Sequence, residues 1–122
     1  MSKTIDGLIT FLYYDDLERA TGFYEEIIGL KLVIDQGWAK IFKVSENAYI
    51  GLVDGKRGYH RPSPIKPVMI TLIVPDVDSW YYYLKEQNVK ILSEPRDNKE
   101  LNIRTLLIED PEGYVIEIEH FY

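Results

Sequence analysis

The chain repeats its own order of elements, and this constrains its fold more than any single stretch does. Asp16 to Ile28, "DLERATGFYEEII", reads as a helix. Leu17, Ala20, Tyr24, Ile27 and Ile28 share one helical face, Asp16 can cap its start and Gly29 can end it. About sixty residues on, Asp76 to Gln87, "DVDSWYYYLKEQ", places Val77, Trp80, Tyr81 and Leu84 at i, i+3, i+4 and i+7, with Asn88 at the stop. Gly and Asn best tolerate the left-handed conformation that ends helices. A strand precedes each helix, "GLITFLYY" and "VMITLIV", with a shared Ile-Thr-Phe/Leu core. Three strands follow each: "GLKLVI", "WAKIFKV" and "AYIGLVD", then "NVKILS", "NIRTLLIE" and "YVIEIEHF". The order is β-α-β-β-β, twice. One domain is expected over residues 1–122, with duplicated modules 5–54 and 67–122 joined by the Gly/Pro-marked linker 54–67, "DGKRGYHRPSPIKP".

Alternation along the strands shows what each should face. Val68, Ile70, Leu72 and Val74 form an apolar face, as do Ile50 with Leu52 and Ile116 with Ile118, and these should pack under the helices. The opposite faces are mixed: Ile9, Phe11 and Tyr13; Tyr49, Gly51 and Val53; Met69 and Thr71; Val115, Glu117 and Glu119. A sheet with one helix-covered apolar face and one mixed, aromatic face suggests a concave side that binds something.

Composition narrows what that could be. Hydrophobic residues make up 46% and charged residues 28%, as in a soluble globular protein. The run Val68 to Val74 is far too short to span a bilayer, and "MSKTIDG" lacks the apolar core of a signal peptide. No cysteine is present, so disulfides, thiolate metal sites and a Cys nucleophile are excluded. The expected location is the cytoplasm. A net charge of −6 argues against a nucleic-acid phosphate backbone and leaves a cationic or neutral small molecule as the easier partner. Ten Tyr and two Trp are the unusual feature of so short a chain.

The last strand, entered through the turn Asp110-Pro111-Glu112-Gly113, puts Glu117 on the mixed face. Glu117 can pair with a basic ligand, abstract a proton, or be salted to Arg104 on the adjacent strand. Glu119 points the same way, nearer the chain end, where solvation is expected. His120 faces the other side and reads as a partly buried structural histidine. His60 lies in the linker beside Lys56, Arg57, Arg61 and Lys66, either in a solvated loop or in a basic flap. No Ser-His-Asp, zinc or phosphate-loop spacing is present. Phe11, Tyr13 and Tyr49 face the mixed side, and Trp38 joins them if the parity of its strand allows. Planar faces there provide stacking and cation–π contacts. Trp80 and Tyr81 belong to the helix's core face. The candidate ligand contacts are Phe11, Tyr13, Trp38, Tyr49, Met69, Arg104 and Glu117, with Glu117 the one catalytic candidate.

"ITFLYYDDLERATGFYEEIIGLKL", "ITLIVPDVDSWYYYLKEQNVKI" and "IEDPEGYVIEI" resemble the glyoxalase/bleomycin-resistance/dioxygenase superfamily, also called vicinal oxygen chelate, over nearly the whole chain. The resemblance implies an α+β fold: two βαβββ modules forming an eight-stranded, cup-shaped mixed sheet with helices on the outer face. It also implies frequent homodimers. The family's metal enzymes draw ligands from the first and last strands of each module, which fall here at Ile9, Gly51, Met69 and Glu117. Only Glu117 can ligate; Ile and Gly offer no donor, and a Met thioether suits hard divalent ions poorly. The expectation is a small-molecule-binding homodimer without a cofactor, with no nucleic-acid or membrane partner. The alternative is an enzyme with lyase, isomerase or dioxygenase chemistry, either through a divalent metal held by other residues or with Glu117 as acid–base.

Overall fold

The structure, a computed structural model, describes residues 3–122. The chain divides into two compact units, between Pro62 and Ser63. The first unit runs β1 (Leu8–Tyr14), α1 (Leu17–Gly22), a wider π-helical continuation (Phe23–Ile28), β2 (Lys31–Asp35), β3 (Ala39–Ser45) and β4 (Ala48–Asp54). The second runs β5 (Met69–Ile73), α2 (Val77–Glu86), β6 (Lys90–Asn98), β7 (Ile103–Glu109) and β8 (Val115–Phe121). Each unit builds its own mixed four-stranded sheet, ordered β1-β4-β3-β2 and β5-β8-β7-β6. The first strand of each unit lies parallel to the last, and the remaining pairs are antiparallel. The α+β class and the two βαβββ modules expected from the sequence are both present.

Local chemistry sets the helix ends. The Asp16 carboxylate accepts the Arg19 amide at 3.1 Å, and the Asp76 carboxylate accepts the Ser79 amide at 3.1 Å, each satisfying a donor that the first helical turn leaves open. At the other ends Gly29 takes φ 85° and Asn88 φ 58°, the left-handed stops the sequence suggests. One feature departs from a regular helix. After Gly22 the turns widen, and Phe23, Tyr24 and Ile28 become the buried set. A strict 3.6-residue period omits Phe23 because it assumes no widening.

In the first unit Leu12, Tyr14, Phe42, Ile50 and Leu52 are buried together with Ala20, Tyr24 and Ile28, and Tyr14 donates its hydroxyl to Tyr24 Oη at 3.2 Å. In the second unit Val77, Leu84, Leu106, Ile108, Ile116 and Ile118 are the most completely buried apolar side chains. Fully burying one such aliphatic side chain contributes about 1.5–3 kcal/mol. The apolar face expected over Val68 to Val74 is graded. Leu72 and Val74 are buried, Ile70 is half-buried, and Val68, which precedes β5, is exposed.

Two further features shape the units. The Ile-Thr-Phe/Leu core common to both halves does not align them. Phe11 pairs with Gly51 on the open face, whereas Leu72 pairs with Ile118 in the core. The matching positions are Leu12 with Leu72 and Phe11 with Thr71; a one-residue slip exchanges the faces of a strand. Secondly, the first part of the expected linker 54–67 is folded. Asp54 accepts the Lys56 amide at 2.9 Å, and Arg61 Nη1 donates to the carbonyls of Gly55 at 2.9 Å and Gly58 at 2.6 Å.

Candidate functional site

Each sheet has one face away from its helix, and these open faces carry most of the candidate residues. In the first unit the register places Ile9 opposite Tyr49, Phe11 opposite Gly51 and Tyr13 opposite Val53 on β1 and β4. β3 adds Ile41 opposite Gly51 and Lys43 opposite Tyr49. Gly51 has a specific reason to be glycine. The Phe11 ring lies in the space where a side chain at position 51 would begin, and Ile9 Cγ2 stands 3.4 Å away from that point. An aromatic ring laid over a cross-strand glycine replaces the packing the glycine lacks. Beside this pair, Ile9, Ile41, Tyr49, Val33, Ile34 and Lys43 line part of a groove of about 620 Å³.

Tyr13, at the far end of β1, has a neighbour the sequence did not reveal. His60 stands edge-on to its ring, with centroids 5.3 Å apart, and Gly58 lies so close that a Cβ there would come within 2.9 Å of Tyr13. The 54–62 loop therefore packs over Tyr13. Its Arg61 is turned to backbone carbonyls within the loop.

In the second unit the open face carries Met69 opposite Val115, Thr71 opposite Glu117 and Ile73 opposite Glu119. Thr71 donates its hydroxyl to Glu117 Oε1 at 2.9 Å. Glu119 is not solvated as expected; it is 7% exposed. Burial, with the charge of Glu117 as a smaller contribution, pushes its carboxyl above the ordinary value. The strand is held in place by the turn before it. Asp110 is buried and accepts the amides of Glu112 and Tyr114, each at 3.0 Å, while Gly113 takes φ 96°.

Five other residues singled out in the sequence lie elsewhere. Arg104 pairs with His120 across β7 and β8, on the helix side of the sheet, and so does not reach Glu117. It binds Asp78 of α2 at 2.8 Å and Asp97 of β6 at 3.2 Å, and these carboxylates hold its guanidinium charged to higher pH than usual. The expected Glu117–Arg104 pair is replaced by Glu117–Thr71. Trp38 precedes β3, and its carbonyl accepts the Asp54 amide at 2.8 Å. By alternation that register assigns it to the side of Phe42, away from Phe11 and Tyr49, and Arg57 covers its ring at 5.7 Å. Trp80 and Tyr81 are half-buried rather than core: Trp80 stands edge-on to Tyr83, and Tyr81 donates to Glu94 at 2.7 Å. His120 Nδ1 lies 3.0 Å from the Val74 carbonyl, a structural contact between β8 and the end of β5.

Residues 7–118 match the sequence profile of the Glyoxalase/Bleomycin resistance protein/Dioxygenase superfamily. The chain belongs to this superfamily. It is 29% identical to the uncharacterized protein YwbC of Bacillus subtilis (strain 168), over 96% of this chain and 97% of that one. Among solved structures it is similar to TioX from Micromonospora sp. ML1, at a TM-score of 0.79 and 17% identity over 95% of this chain and 98% of the other. A lactoylglutathione lyase from Agrobacterium tumefaciens superposes at a TM-score of 0.75 and 22% identity, covering 93% of this chain and 91% of that one. These likenesses carry the fold.

The four positions at which the resemblance places metal ligands hold Ile9, Gly51, Met69 and Glu117. Gly51 is sealed by Phe11, Ile9 is hydrocarbon, and Glu117 is the single carboxylate. Among the described residues no group of three or more His, Cys, Asp or Glu side chains could hold a metal ion. The donor set does not fit a catalytic divalent metal. Among the same residues no helix is long and apolar enough to cross a membrane.

Proposed function

We propose that this protein binds a small, flat or aromatic molecule on the open face of a sheet, without a divalent metal. The observation that carries this reading is the pairing at the ligand positions. Phe11 fills the place of a side chain at position 51, and the lone carboxylate of Glu117 is held by Thr71. On the open face of the first unit Phe11 and Tyr49 supply planar apolar surface; on that of the second, Glu117 supplies one fixed negative charge for a cationic group. A charge-assisted hydrogen bond contributes roughly 1.5–3 kcal/mol. Glu117→Gln should therefore weaken a cationic aromatic compound by about one to two powers of ten. Titrating a panel of cationic aromatics against both forms, followed by tryptophan fluorescence, tests this. Equal binding by the two forms would remove Glu117 from the site; no binding by either would sink the cationic-ligand reading. Each sheet has two edge strands, and exposed edges tend to be covered. A two-fold homodimer is the assembly this favours, and light scattering at micromolar concentration checks it.

A second reading has its own support. Glu119 is buried, its carboxyl pushed above the ordinary value, and it lies two residues from Glu117 on the same face. Two carboxyls in unlike environments are the starting point for acid–base chemistry. A lyase or isomerase using Glu117 as base would show turnover that Glu117→Gln abolishes without loss of fold.

A further inference from the structure

We propose that the groove of the first unit is a binding site for an anionic amphipathic small molecule, with Lys43 and Lys31 receiving its acidic group. The inference goes beyond the reading above: it concerns the opposite charge and a groove of the first unit that shares Tyr49 with that reading but not Glu117. Its first support is shape. A β-bulge between Leu32 and Ile34 breaks the alternation of β2, so that both Val33 and Ile34 line the groove along with Leu8, Ile9 and Ile41. Bulges re-aim side chains in this way. Leu8 is 68% exposed and Ile34 47%, although each is large and apolar. A contiguous exposed apolar patch marks a binding surface more often than scattered residues do. Its volume, about 620 Å³, falls in the range of small-molecule sites.

Charge selects the occupant. Lys31 and Lys43 are direct cross-strand partners on β2 and β3, on the same face as the groove. Like charges directly opposite on a sheet are destabilising. Little offsets this. Lys43 meets Glu46 at 3.7 Å, where the carboxylate side chain is 86% exposed, and Lys31 takes part in none of the ion pairs of the described residues. Such an exposed pair contributes little. Two lysines held together on a chain of net charge −6 therefore form a local cationic end to an apolar groove. A sulfonate or carboxylate attached to a flat or branched hydrocarbon satisfies both parts. Asp6 also lines the groove and is its one carboxylate, which favours a single acidic group on the ligand over two.

The test uses two probes with one ring system: 8-anilinonaphthalene-1-sulfonate and the uncharged N-phenyl-1-naphthylamine. The parent protein should bind the sulfonate at one per chain and more tightly than the neutral compound. Lys31→Gln/Lys43→Gln should weaken the sulfonate about tenfold or more and leave the neutral probe unchanged. Ile34→Asp, at an exposed position, should weaken both. Glu117→Gln should alter neither, so failure of the cationic panel and failure of this site are read separately. Circular dichroism checks that each variant is folded; if Ile34→Asp is not, the lysine variant decides alone. No sulfonate binding, equal binding by the lysine variant, or tighter binding of the neutral probe would overturn the proposal. So would a dimer in sedimentation velocity that Ile34→Asp dissociates while no probe binds, since a second copy would then occupy the groove.

Discussion

The two units share one order of elements, yet at matching points of their open faces they use different chemistry. In the first, Phe11 faces Gly51 across β1 and β4, and the ring stands where a side chain would start. In the second, Thr71 faces Glu117 across β5 and β8, and a hydroxyl donates to a carboxylate. One pair closes its position with hydrocarbon; the other keeps a charge and holds it still. The surrounding faces follow suit. The first unit carries an apolar groove flanked by paired lysines, and the second carries the neighbouring carboxylates of Glu117 and Glu119. A duplicated fold thus provides two equivalent platforms whose surface chemistry is set by a few strand positions.

The largest expected effect comes from making the first unit copy the second. Gly51→Glu places atoms where the Phe11 ring lies, and overpacking of this kind costs about 1–3 kcal/mol. Phe11→Thr/Gly51→Glu should recover most of that loss, because it removes the ring along with the clash. Urea denaturation of the parent, both single variants and the double variant gives the coupling between the sites. Additive effects would show that Phe11 and Gly51 do not depend on each other.

Glu119→Gln should give a smaller effect that changes with pH. The folded state raises the carboxyl's pKa, so it holds the proton more tightly than the unfolded chain does. Above the ordinary Glu value the charged form is then disfavoured in the fold, and stability is lost as pH rises toward the folded-state value. The Gln variant lacks that penalty. It should melt higher than the parent at neutral pH, and the difference should vanish as pH falls below the ordinary Glu value. A difference independent of pH would assign the effect to packing instead.

The smallest effect is expected at Glu117 itself. Its hydrogen bond to Thr71 lies at an exposed site, so Glu117→Gln should change stability by no more than about 0.5 kcal/mol. A much larger loss in chemical denaturation would mean that the carboxylate is a structural element of the second unit.

Much of this was legible in the sequence because it depends on local periodicity. Asp16, Gly29, Asp76 and Asn88 mark the helix ends, and strand alternation puts Ile116 and Ile118 in the core with Glu117 opposite. Less local features were hidden. The widening of the first helix, the bulge that turns Val33 and Ile34 together, and the folding of the 54–62 loop onto Tyr13 each depend on tertiary packing. Arg104 was misplaced for a simpler reason. Strand adjacency was read correctly, but its register with His120 assigns it to the face opposite Glu117, where Asp78 and Asp97 await it. The lysine pair was overlooked because neither Lys31 nor Lys43 is notable until β2 and β3 are set side by side. Searching each predicted hairpin for opposed like charges would have found it.

The central claim is that Glu117 remains as a ligand-facing carboxylate with no metal to bind. Elemental analysis of protein purified without chelator and then dialysed measures this most directly. The account predicts well under one equivalent of Ni, Zn, Mn or Fe per chain, unchanged in Glu117→Gln. A stoichiometric ion that is lost in that variant would contradict it.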